Sequence, residues 1–197
     1  MNPRDITIDK LRRSLDGLGH KFFEAGDYNL NLIGIRSSDT DANSFNDLIC
    51  LAFKQQGHWN LFAFAATTDP GVFWRMSPMN QAGTAVLVLG QHKGAFTLGQ
   101  HKGYDALTQA RSLPVYRDDD CDADVDVTGT IDNGWHGINL HRASPHHTSK
   151  QVDRWSAGCQ VLADPDEFAM LISICDRAAR EWGPKFTYTL IEEGDLA

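Results

Sequence analysis

"NLNLIGIRS", residues 29–37, decides the class of fold. Leu30, Leu32, Ile33 and Ile35 crowd into a short apolar run flanked by Asn and Ser, which has the length and composition of a buried strand rather than a helix. Five further runs of the same kind follow: "DLICLAF", "NLFAFAATT", "TAVLVLG", "LPVYRD" and "WHGINLH", separated by Gly, Asp, Asn and Pro. The middle of the chain therefore reads as a β-rich body. On its N-terminal side, Ile8, Leu11, Leu15, Leu18 and Phe22 recur at helical spacing, with Lys10, Arg12 and Arg13 on the other side. An amphipathic helix ending near Gly26 is expected there. On the C-terminal side, Asp164-Pro165-Asp166-Glu167 supplies an N-cap, a first-turn proline and early acids, and Phe168, Leu171, Ile172, Cys175, Ala179 and Trp182 share the face that follows. Gly183-Pro184 stops that helix, and "KFTYTLI" closes the chain as a strand. The expected architecture is α+β: a mixed sheet or sandwich with one helix at each end packed on it. It forms a single domain over residues 1–197, of which 1–26 is a helical extension.

The totals restrict the functions available. With 18 Lys and Arg against 26 Asp and Glu, the chain carries a formal charge of −8, which disfavours nucleic acid and anionic membranes as partners. No stretch approaches the roughly 18 uninterrupted apolar residues of a membrane span, so no membrane insertion is expected, and residues 1–21 lack the apolar core of a signal peptide. The four cysteines are widely spaced with no C-x-x-C pair, as expected of reduced thiols.

Two local patterns stand out. "LGQHKG" occurs at 89–94 and again at 98–103. It reads either as a pair of His-Lys hairpin tips lining a groove or, as favoured here, as two similar turns around a three-residue strand. In "RDDDCDADVDV", residues 117–127, Asp118, Asp120, Asp122, Asp124 and Asp126 alternate as oxygen ligands do in a calcium loop, although the EF-hand glycine and glutamate are missing. The first four are the candidate ligands of a structural calcium, set against a plain acidic loop. No cofactor is required by any motif.

Chemistry concentrates in "RWSAGCQVL", residues 154–162. A nucleophilic thiol needs a base and backbone N–H groups aimed at a developing oxyanion. Cys50 and Cys175 sit in apolar runs and Cys121 among aspartates. Cys159 alone follows a small-residue turn, Ser156-Ala157-Gly158, whose N–H groups are candidate oxyanion donors. His141 ends the preceding strand and is the candidate base. His136 competes, but strand alternation sends it to the opposite face. Arg142, Arg154, Trp155 and His136 are the candidate substrate contacts, with Trp135 a further groove wall. A catalytic Cys159 is expected to alkylate faster than the other three thiols near neutral pH.

A histidine closing a strand, a loop, and a Ser-x-Gly-Cys turn together resemble the L,D-transpeptidase (YkuD-like) catalytic domain family, carried here by His141 and Ser156-Ala157-Gly158-Cys159. The chain departs from the family pattern in having Arg142 where a glycine is usual, Ala157 where a second histidine is usual, and Val161 where an arginine is usual. The resemblance implies a β-rich transpeptidase-like fold and an acyl-thioester formed by Cys159 on a cell-wall stem peptide at diaminopimelate, with His141 moving the proton. Peptidoglycan stem peptides are then the partner. Without an export signal in the sequence, hydrolysis by a phage-type lytic enzyme, made in the cytoplasm and acting at the wall after release, is expected over cross-link formation. The alternatives are an L,D-transpeptidase and a non-catalytic wall-binding or virion-associated module.

Overall fold

The computed structural model describes residues 1–38 and 43–197. Helix α1, Ile8–Gly17, is capped by Thr7, whose Oγ1 accepts from the Lys10 N–H at 3.2 Å. It ends well before Gly26, and Leu18 and Phe22 lie in the irregular segment that follows. Strands β1 (Asn31–Arg36), β2 (Asp47–Gln55) and β3 (His58–Thr67) come next, then the short helix α2 (Val72–Met76). After these come β4 (Thr84–Leu87), β5 (Gly90–His101), β6 (Tyr104–Gln109), β7 (Leu113–Asp118), β8 (Asp132–Gly134), β9 (Leu140–Arg142) and β10 (Gln160–Leu162). Helix α3, Pro165–Trp182, and strand β11, Lys185–Glu192, complete the fold. No helix among the described residues is long and apolar enough to cross a membrane.

The fold is α+β and mostly β, as the apolar runs imply, but its main sheet closes on itself. The strand order β1-β11-β5-β6-β9-β10-β3-β2 forms an eight-stranded barrel, and β4-β7-β8 make a separate small sheet. Closure leaves no free edge among those eight strands. The pairs β1–β11 and β9–β10 are parallel, whereas the long β2–β3 ladder is antiparallel and turns at Gln56-Gly57, where φ is 52° and 78°. Positive φ at both central residues is the geometry of a tight two-residue hairpin.

Strand β1 is buried along its whole length because both of its faces are covered. Leu32 joins the main core with Ile49, Leu51, Phe64, Phe96, Leu107, Leu140, Tyr188 and Leu190. Ile33 and Ile35 join a second core with Leu48 and Cys50 from β2 and Leu11 and Leu15 from α1. That double burial is why the opening stretch shows no clean alternation. Between Leu32 and Ile35 only glycine fits: a Cβ on Gly34 would lie 1.9 Å from the Tyr188 hydroxyl. The Tyr188 O–H, buried in that space, donates to Gln160 Oε1 at 2.6 Å, immediately behind Cys159.

Candidate active site

Strand "WHGINLH" is regular only at its end. Residues 135–139 are irregular, Gly137 has φ 74°, and β9 begins at Leu140. The buried Gln109 amide fixes the irregular part: its Oε1 accepts from the N–H groups of His136 and Ile138 at 3.1 and 3.0 Å, and its Nε2 donates to Gly134 O at 2.9 Å. The parallel register of β9 and β10 sets Val161 beside His141 and Gln160 beside Leu140. Cys159 follows at Asn139, whose N–H lies 3.5 Å from Sγ. The thiol in turn donates to Gly137 O at 3.4 Å.

The turn that presents Cys159 is tied from within. Ser156 is fully buried; its Oγ donates to Cys159 O at 2.8 Å and accepts from the Gly158 N–H at 3.2 Å. The Gly158 N–H is therefore spent inside the turn, while that of Cys159 has no hydrogen-bond partner among the described residues and is the donor left for an oxyanion. Gly158 has φ 114°, and a Cβ there would stand 2.3 Å from Ala85 O, so glycine is required both by conformation and by space. Behind the turn, Gln160 Nε2 donates to Thr68 O and Gly158 O, each at 3.4 Å.

His141 is buried, and its Nδ1 lies 2.8 Å from Arg142 O. A carbonyl can only accept, so Nδ1 carries the proton and Nε2 keeps its lone pair, the tautomer a general base needs. Burial pushes this imidazole down to about 3, outweighing the carbonyl contact, with His101 and Lys102 adding to the same direction. Burial likewise pushes the Cys159 thiol up, opposed by the Asn139 N–H and the Lys102 charge. The resting pair is a neutral thiol beside a neutral imidazole. No hydrogen bond joins Sγ to His141 among the described residues, since the thiol proton goes to Gly137 O. Cys121 is exposed, whereas Cys159 is half-buried with its thiol pushed up by burial. Cys50, pushed up to about 12 by burial, and Cys175, also raised by burial, are core residues.

His136 is committed elsewhere. Arg117 Nη2 lies 3.1 Å from its Nδ1 and Asp132 O lies 3.2 Å from its Nε2, so Nδ1 accepts from the guanidinium and Nε2 donates. Together with Trp74, Met79, Arg117, Trp135 and Ala157 it lines a cleft of about 250 Å³ adjoining the turn. Arg142 lies over the Tyr104 ring at 4.0 Å and lines a second cleft of about 410 Å³ with Asp105 and Phe168. Arg154 instead stacks on Phe73 at 3.9 Å, and Trp155 lines a hollow with His147 and Lys150, away from both clefts. Val161, where the resembled family usually has an arginine, is fully buried.

Sequence reading passed over His101 and Lys102 by favouring plain turns for the repeated "LGQHKG" over hairpin tips lining a groove, and it missed Tyr104 and Asn139. The repeat's first copy runs into β5, where His92 contacts Val88 O at 2.9 Å. Its second copy ends in a true hairpin tip, Lys102-Gly103 with φ 48° and 85°, which carries His101 onto His141. One copy therefore lines the site and the other is strand.

In the acidic loop, the carboxylates of Asp118, Asp120 and Asp126 come within 4.8 Å of one another. Asp126 thus replaces the expected Asp122 and Asp124; the Asp122 carboxylate is turned back to accept from the Asp124 N–H at 2.7 Å. Asp118 Oδ1 is buried without a hydrogen-bond partner among the described residues, an acceptor that a hard cation fits, while Arg75 Nε stands 3.9 Å from its Oδ2. Neither a protein-family model, nor a curated protein, nor a solved structure matches this chain.

Proposed function

We propose that the protein is a cysteine-dependent hydrolase of peptidoglycan stem peptides with a divergent L,D-transpeptidase-like catalytic centre. The observation that carries this reading is the Arg142 carbonyl contact, which leaves the buried His141 as a neutral Nε2 base on the strand paired with the one that follows Cys159. The Ser156-Ala157-Gly158-Cys159 turn and the β-rich body add the family resemblance.

The chemistry follows from those groups. His141 Nε2 takes the thiol proton as sulfur attacks the peptide carbonyl. The Cys159 N–H faces the developing oxyanion. Collapse breaks the C–N bond, the imidazolium returns its proton to the leaving amine, and a thioester remains on Cys159. Water, deprotonated by His141, then releases the acid and regenerates the thiol. Water is favoured as the acceptor because the Lys102 charge acts on both Cys159 and His141 and repels an approaching ammonium. Fully buried Val161 offers nothing to hold a second stem peptide.

Digestion of purified diaminopimelate-containing sacculi by wild type and Cys159→Ala, read by mass spectrometry, tests the reading. Wild type is expected to release shorter stems and lower the cross-linked fraction, and Cys159→Ala to do neither. A Cys159-dependent rise in cross-linked dimers makes the protein a transpeptidase. Unchanged sacculi make it a non-catalytic module.

A further inference from the structure

We infer that His101 is a second functional imidazole of this site, a fixed neutral donor whose Nε2–H is completed by an amide carbonyl oxygen of the bound stem peptide. The inference rests on the peptidoglycan reading above, and it starts from a chain of hydrogen bonds that leaves only one arrangement of protons.

The Gln109 main-chain N–H donates to Asn139 Oδ1 at 3.0 Å. An N–H needs an acceptor, so this contact identifies the oxygen of the Asn139 amide and turns its NH₂ the other way. That NH₂ lies 3.2 Å from His101 Nδ1. Nδ1 must therefore accept, which in a neutral ring puts the proton on Nε2. A second proton on the ring would set Nδ1–H against the Asn139 NH₂. Burial and the Lys102 charge also hold this imidazole below its ordinary pKa. His101 is thus a donor at Nε2 and not an acid.

Nε2 of His101 is buried with no partner among the described residues. A buried donor without an acceptor is a costly arrangement, and its place here is informative. The His101 ring stacks on His141 with centroids 4.3 Å apart and planes 11° apart. The same Asn139 that orients His101 through its side chain reaches the Cys159 sulfur with its main-chain N–H. The two stacked rings hold opposite tautomers, His141 with its Nε2 lone pair free and His101 with its Nε2 protonated. A base and a fixed donor side by side are the two groups an amide substrate needs: one takes the nucleophile's proton, the other locates a carbonyl oxygen. An amide fits better than a carboxylate because this donor is neutral and cannot gain charge.

The test compares wild type, His101→Phe and His101→Gln on a soluble disaccharide-tetrapeptide muropeptide. Phe keeps a flat ring against His141 without the donor, and Gln restores an N–H near the Nε2 position. His101→Phe is expected to lower kcat/KM by about 10²-fold, and His101→Gln to recover to within about tenfold of wild type. Iodoacetamide alkylation of Cys159, resolved from Cys121 by peptide mass spectrometry, is expected to change in both variants far less than kcat/KM does in His101→Phe, because the thiol is kept and His101 is only a lesser contributor, after burial, to the low pKa of the stacked His141. His101→Phe turnover equal to wild type overturns the inference. So does an equal loss in both variants with a shifted alkylation profile, which makes His101 a packing partner of His141. A wild type that leaves the muropeptide intact fails at the earlier step, removing the hydrolase reading and this role together.

Discussion

Burial pushes the His141 imidazole down to about 3, and in the proposed reaction this sets the acid side of the activity profile. A general base works only while deprotonated, so a depressed pKa moves the loss of activity to lower pH. The kcat/KM of the wild type on muropeptide is expected to show no acid limb near the ordinary histidine value of about 6.5. A limb there would assign the base to another group. His141→Ala is expected to lower kcat/KM by ~10²–10⁴-fold, and His136→Ala by much less, because His136 Nδ1 and Nε2 are already occupied by Arg117 and Asp132. At this scale the candidate residues were legible. Cys159, His141 and the Ser156 turn are adjacent in sequence or closely spaced, and their chemistry is written in residue type. His101 was not, because its role depends on a proton placed by Gln109 through Asn139, two residues remote in the chain.

Elements built from local signals were legible, and those built from distant partners were not. The cap at Asp164, which accepts from the Asp166 and Glu167 N–H groups at 2.9 and 3.1 Å, starts α3 where the sequence places it. Strand β5 escaped because Gln91, His92, Lys93, Gln100 and His101 are polar, and its strand character comes from pairing with β11 and β6. In β1, Gly34→Ala is expected to destabilise the fold by about 1–3 kcal/mol through overpacking. Adding Tyr188→Phe removes the nearest clashing atom and is expected to return part of that loss, as measured by urea unfolding. Additive losses would mean that the two sites do not touch. In the loop after β7, a cation held by Asp118, Asp120 and Asp126 is expected to raise Tm in millimolar calcium and to be lost in Asp120→Asn. Melting curves with calcium and with chelator decide it, and coincident curves leave the buried Asp118 to Arg75 and the Asp126 N–H.

At the scale of the whole molecule, the sequence disclosed the α+β class but not the closed barrel. Closure depends on β1 meeting β11 in parallel across the length of the chain, a pairing that no local pattern announces. The ring it makes is laced unevenly. Nine residue pairs join β2 to β3, but one pair, Leu107 with Leu140, joins β6 to β9, and two join β10 to β3. The short strands carrying His141 and following Cys159 are thus stitched to each other by three pairs and to their neighbours by fewer. In hydrogen-exchange terms, amides of β9 and β10 are expected to lose protection through local opening while those of β2 and β3 persist to global unfolding. Equal protection around the ring would contradict this. The consequence is mechanical: β9 and β10 form a panel of the barrel wall laced thinly along both margins, the proposed base and nucleophile ride on that panel, and a ligand reaching from it to the strands on either side would act as a clasp across the part of the wall most ready to part.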